Sequence, residues 1–376
     1  MINPADFYNL LTNNNIRFYT GVPDSLLKDF CAYVTDHTPQ DRNIIAANEG
    51  NAVGIAAGRY LALQEIGLVY MQNSGLGNVV NPLTSLADPL VYSIPMLLLI
   101  GWRGEPGVKD EPQHAKQGQI TLDLLKSLGV EYDILPDNLL QAEAVLKRAM
   151  EYMSQKKAPF ALVIRKDTFS PYALQSGYQA KCSLNREQAL KMIVSKLGAD
   201  DIVVSTTGKT SRELYEYRRA CGDTHEKDFL TVGSMGHSSQ IALGIALAKP
   251  QRTVYCLDGD GAALMHLGAM AIVGEQGPAN LKHVVLNNCA HDSVGGQPTA
   301  GDVVDFPMIA KACGYKTVLQ AQSEEEIIAK TEELKHGAGP SFLEVKVNKG
   351  ARKDLGRPKT TPIENKEAFI RFLSKD

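Results

Sequence analysis

Short apolar runs rich in Val, Ile and Leu alternate along this chain with longer stretches in which apolar residues recur every three or four positions. Runs of the first kind suit strands buried on both faces and stretches of the second suit helices covering a sheet, so the pattern predicts βαβ units and parallel sheets. Strands are expected at 43–46, 67–71, 95–100 and 159–165 and, after an interruption, at 202–205, 253–257, 283–287 and 341–347. The interruption carries Pro171 and Gly177 among polar residues with no clear period, which marks a connection. The expected organisation is a domain at 1–168, a linker at 169–183 and a second domain at 184–376. The fold class is α/β: two tandem domains of similar architecture, each a mostly parallel sheet with helices on both faces, without a short sequence repeat.

The length of 376 residues agrees with two domains, each able to bury its own core. A formal net charge of −3 gives no basic excess for nucleic acid or an anionic membrane, so any anion site must be local. The apolar run 94–100 contains Pro95 and falls far short of the ~20 residues that span a bilayer. No basic segment followed by an apolar stretch opens the chain, which makes the cytoplasm the expected compartment. Six scattered cysteines without a C-x-x-C pair argue against a disulfide framework, structural zinc or an iron–sulfur cluster.

The sharpest chemical signal is Gly259-Asp260-Gly261 directly after the strand at 253–257, with Asn287-Asn288 ending the next strand one helix later. Neighbouring parallel strands end at the same sheet edge, so Asp260 and Asn288 are expected side by side where open α/β sheets bind ligands. A carboxylate and an amide oxygen are hard donors suited to Mg2+, which completes its shell with phosphate and water. The glycines let backbone approach a diphosphate, and the following helix offers free N–H groups. An ordinary turn would also use Asp and Gly. A calcium loop is rejected, because the later positions carry Leu, Met and His instead of a terminal Glu.

G-D-G followed by N-N after about one βα unit resembles the signature of thiamin diphosphate enzymes. The resemblance implies a thiamin diphosphate and Mg2+ site in which Asp260, Asn288 and the Ala290 carbonyl hold the metal, with Gly259, Gly261 and Ala262 beside the diphosphate. Ala262 departs from the Ser or Thr often found there. A-A-N-E-G-N-A at 46–52 resembles the family segment whose Glu shares a proton with the pyrimidine ring, which makes Glu49 the activating acid; alone, it would read as an exposed acid in the first turn of a helix at 51–63. G-S-M-G at 233–236 resembles the segment in which a bulky side chain bends the cofactor, with Met235 as the wedge, the Gly233 carbonyl as acceptor and Ser234 between them. Without its companions that segment would be a flexible loop.

The likeness covers nearly the whole chain and is similar to the two-domain branch of phosphonopyruvate and sulfopyruvate decarboxylases. It is carried by G-V-P-D-S-L-L at 21–27, N-S-G-L-G-N at 73–78, G-W-R-G-E-P-G at 101–107, P-Q-H at 112–114 and G-A-R-K-D-L-G-R-P at 350–358. It implies decarboxylation of a small anionic 2-oxo acid: 3-phosphonopyruvate, giving phosphonoacetaldehyde and CO2 in phosphonate biosynthesis, or alternatively sulfopyruvate. It also implies a homodimer or larger homo-oligomer with active sites at subunit interfaces, and a place for Asn73 at the cofactor. A doubly charged substrate needs a local cationic cluster, for which Arg103, Lys209, Arg212 and the tail residues Arg352, Lys353 and Arg357 are candidates, the tail acting as a lid. Asp24, Ser25 and Gln113 are candidate substrate neighbours, and His114 and His237 candidate proton carriers. Each cation could equally be solvated, and each histidine a hydrogen-bonded structural residue. A pyruvate:ferredoxin type of oxidoreductase would need cysteine-held clusters that this chain lacks, and a non-catalytic subunit would not carry Glu49 together with the metal motif.

Overall fold

The computed structural model describes residues 1–176 and 182–375. The chain forms two compact units, Met1–Gly177 with Val294–Gln297, and Tyr178–Ser293 with Pro298–Asp376. Positions 177–181 of the expected linker, and residue 376, lie outside the described residues.

The first unit contains strands β1 (Tyr19–Gly21), β2 (Asn43–Ile45), β3 (Leu68–Gln72), β4 (Leu97–Gly101), β5 (Glu131–Ile134) and β6 (Phe160–Ile164). All pair in parallel, in the order β2-β1-β3-β4-β6-β5. The central strands are continuous apolar runs because both of their faces are covered. Leu97 and Leu99 of β4 point into a core with Phe7, Phe30 and Leu146, whereas Leu98 and Ile100 point into a second core with Val53, Val79 and Ala161. This two-residue period places one helical layer on each side.

The second unit repeats the design with β7 (Ile202–Ser205), β8 (Asp228–Leu230), β9 (Val254–Gly259), β10 (Leu281–Asn287), β11 (Thr317–Ala321) and β12 (Ser341–Lys346), ordered β11-β12-β10-β9-β7-β8. Numbered from its own first strand and read from the matching edge, each sheet has the order 2-1-3-4-6-5. The chain therefore steps one way from strand 1 to strand 2 and the other way from strand 3 to strand 4. That reversal opens a crevice at the carboxyl edge of each sheet, where ligands of open α/β sheets bind.

All eight sequence-predicted strands are present. The four not anticipated are short or lie at a sheet edge: β1 and β8 have three residues each, and β5 and β11 are outer strands with weaker burial. The first-unit helix starts at Glu49, not Asn51, because the Asn48 side chain accepts from the Asn51 amide and caps it two residues earlier. No helix among the described residues is long and apolar enough to cross a membrane.

Candidate functional site

In the second unit, β9 and β10 pair with Leu286 opposite Gly259, so the residues that follow them emerge side by side. Asp260 opens the helix Asp260–Met265, and its buried carboxylate accepts hydrogen bonds from the Thr299 hydroxyl and from the backbone of Asn288. Burial pushes this carboxyl up to about 6, against the lowering effect of Thr299 and of the Asn288, Asp260 and Gly261 amides. A divalent cation would remove that penalty, and Asp260 brings the oxygen chemistry Mg2+ prefers. Asn288 is buried, with its side-chain oxygen 3.2 Å from the Ala290 amide.

Asn287 braces the same loop. Its amide donates to the Gly301 carbonyl and to Glu344, both at 2.7 Å, while its oxygen accepts from the Cys289 amide. A Cβ on Gly301 would stand 2.6 Å from the Asn287 oxygen and 2.7 Å from an Asp260 oxygen, so only glycine leaves this space. Gly261 lies beneath the His291 ring, which burial pushes down to about 4. Thr299, Gly301 and His291 had no signal in the sequence, because each acts across the sheet edge and not within a motif.

The Gly233–Gly236 turn follows β8 and leads into the helix Ser238–Ala248. Ser234 and Gly236 have φ of +50° and +85°. A Cβ on Gly236 would meet His266 at 2.7 Å and the Ala262 carbonyl at 3.0 Å, so this turn packs on the helix that Asp260 begins. Met235 is half-buried, and the exposed His237 lies 4.6 Å, ring to ring, from His266, which sequence reasoning missed.

Lys209 and Arg212 occupy the first turn of the helix Lys209–Ala220 after β7. Lys209 donates to the Asp292 carbonyl at 2.8 Å, and buried Arg186 holds the Asp292 carboxylate at 3.0 Å while also gripping Glu213. Arg352 is engaged by Glu187, Glu216 and Asp354. The tail is strapped to the Lys209–Ala220 helix, with the Gly356 amide on Glu216 and the Lys359 amide on the Tyr215 hydroxyl. Lys353 and Arg357 are exposed.

In the first unit, Glu49 follows β2, the position that the Gly233–Gly236 turn holds after the second strand of the other sheet. Its carboxylate is buried and accepts from Asn78 at 2.6 Å. Gly75 makes room for it: a Cβ there would stand 2.5 Å from a Glu49 oxygen.

Asn73, expected at the cofactor, uses its amide to bracket the Arg103 backbone, accepting from its N–H at 3.2 Å and donating to its carbonyl at 2.8 Å, and also reaches Thr121. Arg103 extends from the end of β4 to the Ser25 hydroxyl at 2.7 Å and to both oxygens of Asp110. Asp24 is fully buried and accepts from Gln72 and the Leu26 amide, and burial pushes its carboxyl up. Gln113 is half-buried in the first turn of the helix Pro112–Ser127. Burial, and then the nearby Arg103 charge, push His114 in that turn down to about 4, so it is neutral near pH 7.

Residues 5–128 match the N-terminal TPP binding domain of thiamine pyrophosphate enzymes, and residues 206–345 match their C-terminal TPP binding domain. Over its whole length the chain is 36% identical to phosphonopyruvate decarboxylase of Streptomyces viridochromogenes, covering 96% of that protein. It is 35% identical to phosphonopyruvate decarboxylase of Streptomyces hygroscopicus, covering 95%. Sulfopyruvate decarboxylase of Methanosarcina acetivorans is 29% identical over 99% of this chain and 97% of its own.

Proposed function

We propose that this chain, which belongs to the phosphonopyruvate decarboxylases among the thiamine pyrophosphate enzymes, converts 3-phosphonopyruvate to phosphonoacetaldehyde and CO2. The observation that carries the reading is the buried Asp260 at the carboxyl edge beside Asn288, matched by a buried Glu49 at the corresponding edge of the other sheet. The cofactor supplies the electron sink that loss of CO2 from a 2-oxo acid requires and that no side chain offers. In this reading Asp260, Asn288 and the Ala290 carbonyl hold Mg2+, and Gly259, Gly261 and Ala262 keep the edge open for a diphosphate. The Gly233 carbonyl, Ser234 and Met235 would support the cofactor ring, and Glu49, whose carboxylate is oriented by Asn78, would be the residue to move a proton beside it.

Substrate recognition falls to Arg103 with Ser25, supported by Asp24 and Gln113. Lys209 and Arg212 add positive charge at the edge of the second sheet. Burial leaves His114 neutral and only weakly basic near pH 7, so it is suited to hydrogen bonding with the substrate, and His237 has the exposure to exchange a proton with solvent. Because Arg352 is already held by three carboxylates, the tail acts here as a strap on its own unit. As in the family it resembles, the minimum assembly is a homodimer, and the composition favours the cytoplasm.

The test is CO2 release by the purified protein with thiamin diphosphate and Mg2+, offered phosphonopyruvate, sulfopyruvate or pyruvate. The reading expects phosphonopyruvate to have the highest kcat/KM. A sulfopyruvate preference would move the chain to the other branch, and a pyruvate preference would refute recognition of a second anion.

A further inference from the structure

The Arg103 guanidinium has a partner that its sequence neighbourhood did not reveal. Asp110 takes Nε at 2.8 Å and Nη2 at 2.5 Å in a two-pronged bond, while Ser25 takes Nη1 at 2.7 Å. These bonds use three of the five N–H donors an arginine carries and leave one on each terminal nitrogen, the pair that grips an anion in a fork. The Asp110 carboxylate also accepts from the Gly104 and Glu111 amides, both at 2.8 Å. Burial works against its charge, but Arg103 and these amides outweigh that effect and hold the carboxyl well below the ordinary carboxylate range. It therefore stays ionised near neutral pH.

The loop backbone has further supports besides Asp110. Asn73 already pins Arg103 by its own N–H and carbonyl. The Trp102 indole donates to the Gly118 carbonyl at 2.9 Å. Gly104, at φ +68°, lies so close to the helix Pro112–Ser127 that a Cβ would stand 2.0 Å from the His114 carbonyl, and a Cβ on Gly118 would stand 1.6 Å from the Gly104 carbonyl. Besides its two bonds to loop amides, the carboxylate acts on the side chain, setting the plane of a guanidinium that would otherwise sample many rotamers.

We infer that Asp110 is the positioning residue for substrate-anion recognition, fixing Arg103 so that its two remaining N–H groups meet the phosphonate of the substrate. The inference rests on the proposed function, in which Arg103 binds substrate. Its logic is preorganisation: a guanidinium already locked in place loses little further freedom when the anion arrives.

The experiment compares wild type with Asp110→Asn, Asp110→Glu, Arg103→Ala and the Asp110→Asn/Arg103→Ala double variant, as holoenzymes, on phosphonopyruvate and on pyruvate. Asp110→Asn should raise KM for phosphonopyruvate roughly 10- to 100-fold with kcat within about 3-fold of wild type, Asp110→Glu should recover part of that loss, and KM for pyruvate should barely move. In the Arg103→Ala background Asp110→Asn should add nothing, because its effect passes through Arg103. Equal losses on both substrates, a fall in kcat alone, or additive single effects would overturn the inference. If the wild type fails to act on phosphonopyruvate, the functional reading has failed instead, and the two failures are thereby separate.

Discussion

Gly75→Ala probes the proposed role of Glu49 without touching Glu49 itself. Gly75 has φ −73° and ψ −13°, a conformation open to any residue, so alanine brings no backbone strain. Its Cβ, however, would stand 2.5, 2.6 and 2.6 Å from the Oε1, Cδ and Cγ atoms of Glu49. Carbon and oxygen in ordinary contact need about 3.5 Å, so the carboxyl must retreat by about 1 Å. The atoms that must move include Cγ as well as the carboxyl, in a buried side chain, so the substitution should cost about 1–3 kcal/mol of stability. A displacement of that size at a reacting group costs on the order of 100-fold in rate. The assay is kcat at saturating thiamin diphosphate and Mg2+, paired with a thermal melt, with Glu49→Gln setting the floor. A Gly75→Ala protein with full kcat and an unchanged melt would refute the idea that the position of this carboxylate controls turnover.

Three further outcomes follow from the geometry. Thr299→Val removes the hydroxyl that donates to Asp260 while keeping the shape, and should raise the Mg2+ concentration for half-maximal activity about 10- to 100-fold; an unchanged Mg2+ titration would exclude Thr299 from metal support. Gly236→Ala combines φ +85° with a Cβ 2.7 Å from His266, and should lower stability by about 1–3 kcal/mol, read as an earlier urea midpoint; a wild-type midpoint would show that this turn tolerates rearrangement. His114, held near 4 in the folded chain against its ordinary 6.5, excludes a proton that the unfolded chain accepts. Its contribution is therefore present above about 6.5 and lost as pH falls towards 4, with His291 acting in the same direction. His114→Gln should flatten the melting temperature between these limits, and an unaltered slope would locate the dependence elsewhere.

What could be read from the sequence was whatever is local. G-D-G and N-N sit at the ends of two strands that their apolar runs already announced, so the meeting of Asp260 and Asn288 followed from register alone. Strands β1 and β8 escaped notice because three residues carry no period, although β1 borders the crevice of its sheet and β8 leads into the Gly233–Gly236 turn. Asn78, Gly75 and Asp110 were invisible as supports for a different reason. Their importance lies in what they touch, and Asn78 is 29 residues from Glu49 along the chain. Asn73, which the motif places at the cofactor, also brackets the Arg103 backbone, a contact that the sequence pattern did not announce.

The shared strand order has a practical consequence. Each sheet completes its ladder from one continuous stretch of chain, β1 to β6 before residue 177 and β7 to β12 after residue 181. A gene cut in that interval would give two polypeptides that each retain every native strand pairing and both apolar layers, with no freshly bared strand left to recruit a stranger.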